Sequence, residues 1–175
     1  MKKSKQTAAA GVLSALSVVL MFFGSVVSVL SYIMPLLSGL LMIIAVESIN
    51  RKTALSIYAC VSLLSLFLLS DKECALLYAA FFGYYPIIRS ELDKIKNRLL
   101  LWTMRVILFN VSIVFSQLIC VFVFRIPFDD FLGKCGIAVL LLLANLLFVM
   151  YEKLLAMLIM LYRKKYKSKI NNLLK

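Results

Sequence analysis

Ionisable side chains are rare inside the long apolar runs of this sequence, so those few residues are the first candidates for chemistry. Arg105 and Glu152 fall within such runs, and Glu47 lies at the end of one. A charge in an apolar environment is costly unless it is paired, which makes each of them a candidate functional residue. Because a carboxylate beside an arginine stays charged near neutral pH, we predict a structural ion pair of Arg105 with Glu152 or Glu47 rather than a proton relay.

Amide side chains form a second candidate group. Thr103, Asn110 and Gln117 recur every seven residues, which places them on one face of a helix. Asn110 and Asn145 can hydrogen-bond between helices, or the amides can line a small, mostly apolar ligand site in the outer half of the protein. The side chains of this hypothetical substrate-binding site are Asn110, Gln117, Asn145, Ser25 and Ser28.

The residue types that most catalytic sites need are missing or badly spaced. The chain has no histidine, no glycine-rich phosphate loop, no GxSxG elbow and no HExxH pair. The cysteines lack a CxxC spacing, so we expect no metal site, and free thiols are favoured over a disulfide. These cysteines are Cys60, Cys74, Cys120 and Cys135. The sequence therefore predicts a protein that is not an enzyme and that uses no cofactor.

Composition explains why polar residues are so few. Of the 175 residues, 63% are hydrophobic and 16% are charged, and the mean hydropathy is +1.00. A soluble domain is about half apolar and about a quarter charged, so an ordinary soluble enzyme is excluded. We predict an all-α, polytopic membrane bundle that forms a single domain over residues 1–175, with about six transmembrane helices. The predicted spans are 7–30, 33–46, 53–69, 74–88, 99–124 and 131–162.

The charges alternate with the apolar runs. The formal net charge is +12. With the N-terminus placed in the cytoplasm, 15 cations, Arg89 among them, flank the inner ends of the predicted spans and three flank the outer ends. The positive-inside rule predicts this bias, which favours membrane orientation over a nucleic-acid partner. We expect a multi-pass plasma-membrane protein with both termini in the cytoplasm, and a first apolar run too long for a signal peptide.

Small residues are concentrated in the first span. Gly11 and Ala15 form one small-xxx-small pair, and Ala10 and Ser14 form another. This spacing lets helix backbones approach closely in lipid, where no hydrophobic force drives helices together. The pairs are consistent with packing inside the bundle and also with a face that docks another membrane subunit.

These features resemble the substrate-binding subunits, or S components, of energy-coupling factor (ECF) transporters. The resemblance lies in the basic, Ala/Gly-rich segment KKSKQTAAAGVLSALSVVL at 2–20 and in six short-looped spans over nearly the whole chain. It implies that the two small-residue pairs meet a transmembrane coupling subunit, and that a ligand lies in the outer half, where Gln117 and the serines fall. The segment FFGYYPIIRS at 81–90 resembles uncharacterised membrane proteins of Gram-positive bacteria with this architecture.

The resemblance implies a substrate-capture subunit of a multi-component membrane importer for a vitamin or a similar small molecule. A coupling subunit and ATPases, as separate chains, would power it. The lack of histidine disfavours nickel or cobalt as the substrate. The alternative is a non-catalytic scaffold protein of the cell envelope, similar to the rod-shape proteins, which also pack several spans into this length. A membrane enzyme is the weakest alternative, because no nucleophile–base or metal-binding group of residues supports it.

Overall fold

The computed structural model describes residues 3–125, 133–162 and 164, and every regular element in those ranges is helical. The all-α class is therefore confirmed. A 3-10 turn at Ser28–Leu30 joins the first two helices, and a π-helical segment at Tyr78–Phe82 joins the fourth to the fifth. The helices are α1 (Lys3–Val26), α2 (Ile33–Ser48), α3 (Arg51–Leu68), α4 (Lys72–Leu77), α5 (Tyr85–Leu92), α6 (Arg98–Phe122) and α7 (Gly133–Leu161).

Four helices in the described part of the chain are long and apolar enough to cross a membrane. They correspond to the first, third, fifth and sixth predicted spans, and their outward faces are covered with apolar side chains such as Phe67 (83% exposed) and Phe122 (78% exposed). Apolar surface this extensive needs lipid or another protein to cover it. These are the features of a membrane protein. The four segments are Ser4–Val26, Arg51–Leu68, Arg98–Phe122 and Leu141–Leu161.

The other two predicted spans differ from this pattern, so a count of six transmembrane helices is not confirmed. Helix α2 has 16 residues, or about 24 Å at the α-helical rise, which is short for a hydrocarbon core of about 30 Å. The predicted span 74–88 is not one helix but α4, the π-helical segment and α5 in succession, which we call the broken segment (72–92). Pro86 lies at the start of α5, where its missing N–H is tolerated.

The broken segment lies inside the bundle, where protein covers its irregular backbone. Tyr78, Phe81 and Tyr85 are fully buried along it. The Phe81 ring stacks on the Tyr85 ring, with centroids 4.5 Å apart, and meets Phe109 of α6 and Phe148 of α7 edge-on. Non-helical backbone at membrane depth is tolerated only where protein or a cavity covers it, and these aromatic rings provide that cover.

Helix α2 approaches the broken segment through a glycine. A Cβ atom added to Gly39 would lie 2.5 Å from the backbone oxygen of Phe82, the last residue of the π-helical segment. A backbone atom cannot swing aside as the tip of a side chain can, so only glycine allows this approach. By contrast, a Cβ atom added to Gly11 of α1 would meet nothing within 4 Å.

We therefore expect Gly39→Ala to destabilise the protein by about 1–3 kcal/mol, because the added methyl group forces α2 away from the broken segment. The measurement is thermal unfolding of the purified protein in detergent. Gly11→Ala is the matched control and should be neutral or slightly stabilising, since alanine is the better helix former. Equal melting temperatures for the two variants would show that the approach of α2 is not tight.

Candidate functional site

The end of the bundle that the charge pattern predicts to be the inner one holds a cluster of buried charges on three different helices. Arg105 of α6 donates from Nη1 to the Glu152 carboxylate of α7 at 3.0 Å, and Arg89 Nη2 of α5 lies 3.3 Å from the same oxygen. All three side chains are nearly inaccessible. The Tyr85 hydroxyl donates to the other Glu152 oxygen, and Arg105 also pairs with Asp93. We call these five residues the inner charge cluster.

Arg105 thus contacts Glu152, one of the two carboxylates predicted from the sequence as its partner. Glu47, the other one, lines a small recess that Arg89, Ser90 and Asp93 also line. The proximity of Arg89 to this cluster was not expected, because the sequence analysis counted it among the inner-side cations. Its position three residues after Pro86 was the available signal, since a proline can start a helix that returns a predicted loop residue to the core.

Cations outnumber fully buried carboxylates in the inner charge cluster. Arg89 and Arg105 share Glu152, whereas the Asp93 side chain is 48% exposed. Among the described residues, Nε and Nη1 of Arg89 and Nε of Arg105 have no hydrogen-bond partner. A buried charge is tolerated when it is paired, and Glu152 is the fully buried carboxylate that the two arginines share, while the half-exposed Asp93 also pairs with Arg105. This arrangement connects α5, α6 and α7 through one carboxylate.

Asn110 and Asn145 are bonded to each other. Asn110 Nδ2 donates to Asn145 Oδ1 at 2.9 Å, and Asn145 Nδ2 donates back to Asn110 Oδ1 at 3.0 Å. Each amide nitrogen also donates to the backbone carbonyl four residues earlier, that of Val106 or Leu141. These bonds use the polar atoms of both amides to connect α6 to α7.

Gln117, about two helical turns further out, takes part in a different cluster. Its Nε2 atom donates to Glu73 Oε1 of α4 at 3.2 Å, and the Tyr32 hydroxyl donates to the same oxygen at 3.1 Å. Burial, together with the nearby Glu73 charge, raises the pKa of Tyr32 to about 12, so the phenol remains a donor at neutral pH. We call Tyr32, Glu73 and Gln117 the outer polar cluster.

The local sequence explains how Glu73 is presented. Asp71 caps α4 by accepting hydrogen bonds from the backbone N–H groups of Glu73 and Cys74, a preferred role for aspartate at a helix start. The neighbouring Lys72 ammonium donates to the carbonyls of Leu66 and Leu69, at the end of α3. The Tyr32 hydroxyl and the Gln117 amide, which donate to the Glu73 carboxylate, are both neutral groups. Glu73 and Tyr32 were not predicted as site residues, because both fall in the short intervals between predicted spans.

The remaining predicted site residues lie on or just after α1. Ser25 is half-buried in the last turn of α1, whereas the side chain of Ser28 lies outside the described part of the structure. Beyond them, the Ser31 hydroxyl donates to the Gly24 carbonyl at 3.1 Å. Cys60, Cys74 and Cys120 are free thiols, and the side chain of Cys135 is also outside the described part.

The two small-residue pairs of α1 face different directions. Ala10 packs against the buried core, and Ser14 is half-buried. Gly11 and Ala15 are exposed, and nothing lies near the position of a Gly11 side chain. Of the two predicted docking pairs, Gly11 and Ala15 are therefore the pair available to a partner.

Comparisons with protein-family models, with curated proteins and with solved structures find no match to this chain. The class that the fold itself defines is an all-helical membrane protein with four long apolar helices. Any assignment of function must therefore come from the two polar clusters and the exposed faces of the helices.

The shared carboxylate leads to an ordered stability prediction. Glu152→Gln removes the buried carboxylate that both arginines share, leaves Arg105 with the half-exposed Asp93, and should cost about 3–5 kcal/mol. Arg89→Gln removes the surplus cation and leaves Arg105 paired with Glu152, so it should cost less than half as much. The free energy of unfolding of each variant is measured in mild detergent by titration with a denaturing detergent.

Glu91→Gln is the control for this series, because Glu91 is an exposed carboxylate whose ion pairs contribute little. It should unfold like the unmodified protein. If Arg89→Gln proves as costly as Glu152→Gln, the arginines do not depend on one shared carboxylate.

Proposed function

We propose that this chain is the substrate-capture subunit of a multi-component membrane importer, and that it binds a vitamin or a similar small molecule at the outer polar cluster. The observation that carries the proposal is that Tyr32 and Gln117, from two separate segments, both donate to the same carboxylate oxygen of Glu73, which lies on a third. The Tyr32 hydroxyl and the Gln117 amide, both neutral, hold this carboxylate in place. Such a group at the end of an apolar bundle suits a small ligand with a cationic or hydrogen-bond-donating part.

The contacts of the two short segments support six membrane crossings. The broken segment runs from Glu73, beside Gln117 of α6, to Asp93, beside Arg105 of the same helix. Those two α6 positions are twelve residues apart, or about 18 Å. Helix α2 likewise runs from Tyr32 in the outer polar cluster to Ser48, which bonds to Tyr162 after α7.

With six crossings, both termini lie on the same side of the membrane. The excess of cations near that side supports a cytoplasmic location for both termini. The outer polar cluster would then face the exterior, where a captured solute arrives. The inner charge cluster would lie toward the cytoplasm, on the side of the ATPases.

The exposed Gly11 and Ala15 support a partner in the membrane, which we propose is the coupling subunit. Small exposed residues at this spacing allow a second helix to approach α1 closely. The scaffold alternative would use the same face for an envelope protein and would require no solute. Binding of a solute therefore separates the two functions.

The solute is tested by the thermal stability of the purified protein against a panel of vitamins. A ligand at 100 times its dissociation constant should add about 2.7 kcal/mol to the free energy of unfolding. Glu73→Gln should abolish most of that gain, whereas Glu91→Gln, the same change at the opposite end, should retain it. If no compound stabilises the protein and no ATPases co-purify with it, the importer function is wrong and the scaffold alternative gains support.

The docking face is tested by Gly11→Leu. Because nothing packs on Gly11, the isolated protein should keep its melting temperature, while co-purification of a membrane partner should be lost. Val111→Leu adds bulk to the exposed face of α6 and should leave the partner bound. Equal recovery of the partner with both variants would show that it docks elsewhere.

A further inference from the structure

A groove opens between α3 and the end of the broken segment, at the opposite end of the bundle from the outer polar cluster. Its volume is about 310 Å³. On α3 it is lined by Arg51 and Lys52 at the start of the helix, followed by Leu55 and Tyr58 one and two turns further along. The groove therefore begins at two cations and continues for about 10 Å along an apolar helix face.

The opposite wall of the groove is apolar. It is formed by Ile87 and Ile88 of α5 and by Tyr84, directly before that helix. The two tyrosine hydroxyls are engaged elsewhere, since Tyr58 donates to the Ala79 carbonyl at 2.8 Å and Tyr84 bonds to Ser112 at 2.7 Å. The tyrosines thus present their rings to the groove.

Glu91 helps to hold the cationic end in place. Its carboxylate is 2.6 Å from Arg51 Nη1 and 2.8 Å from the Lys94 ammonium. A hydrogen bond from Lys94 and the charge of Arg51 lower the pKa of the Glu91 carboxyl, so it stays ionised at neutral pH. With Lys52 added, the mouth of the groove carries three cations against the Glu91 carboxylate.

We propose that this groove binds one phospholipid with an anionic headgroup, whose phosphate lies against Arg51 and Lys52 and whose acyl chain begins along Leu55 and Ile88. Basic pockets between membrane helices are typical binding sites for anionic lipid headgroups. The charge of the mouth selects an anionic lipid over a zwitterionic one. A free phosphate ion, unlike a phospholipid, would leave the apolar wall uncovered. In addition, α3 is itself a helix that can span the membrane.

This inference does not depend on solute capture, because the groove and the outer polar cluster share no residue. A lipid site would be equally compatible with a scaffold protein. Failure of the lipid experiment would therefore leave the importer proposal unchanged, and the reverse also holds.

The experiment measures lipid retained by the full-length protein in mild detergent, using native mass spectrometry. The probes are phosphatidylglycerol, phosphatidylcholine with the same acyl chains, and inorganic phosphate. We expect one phosphatidylglycerol to be retained in preference to the other two. Removing one cation by Lys52→Gln should weaken retention about fivefold, and Lys96→Gln, an exposed cation outside the groove, should have little effect.

A second pair of variants tests the apolar wall. Leu55→Trp should fill the groove and displace the lipid. Leu63→Trp, the same change two turns along α3 at a leucine of similar exposure (54% and 58%), is the control and should retain the lipid. Because both leucines face outward, both variants should fold. Equal retention of the two lipids, binding of inorganic phosphate as tight as that of phosphatidylglycerol, or retention by Leu55→Trp at the unmodified level would each overturn the proposal.

Discussion

The Glu152 carboxylate is the contact on which the inner half of the bundle depends. It accepts from α6 through Arg105 and from the broken segment through Arg89 and Tyr85. In an apolar environment a buried arginine without a counter-charge is strongly disfavoured, so the position of α7 determines whether the other two elements can keep their charges inside. Further out, α6 and α7 meet again through the reciprocal amide bonds of Asn110 and Asn145.

The break between α4 and α5 follows from the same constraint. A continuous helix over this stretch would keep one axis direction. The π-helical segment and the proline-started α5 change that direction, and Arg89 lies beside Glu152. An irregular backbone needs cover within a membrane, which the aromatic rings around Phe81 and the close approach of Gly39 provide. Buried charge and irregular backbone are therefore two parts of one arrangement.

Sequence reasoning identified the features that depend on local composition. Long apolar runs predict the four long helices because the length of a span is a property of one continuous stretch. Short runs such as 74–88 do not specify whether the helix is continuous, since a few residues of π-helix leave the apolar pattern unchanged. Arg89, Glu73 and Tyr32 were missed because their significance arises when separate segments converge, and periodicity within one segment carries no information about that.

The broken segment connects the two ends of the molecule. At one end it supplies Glu73 to the outer polar cluster, and at the other it supplies Ile87 and Ile88 to the basic groove. One continuous stretch of chain thus contributes side chains to both sites, although the two sites share no residue.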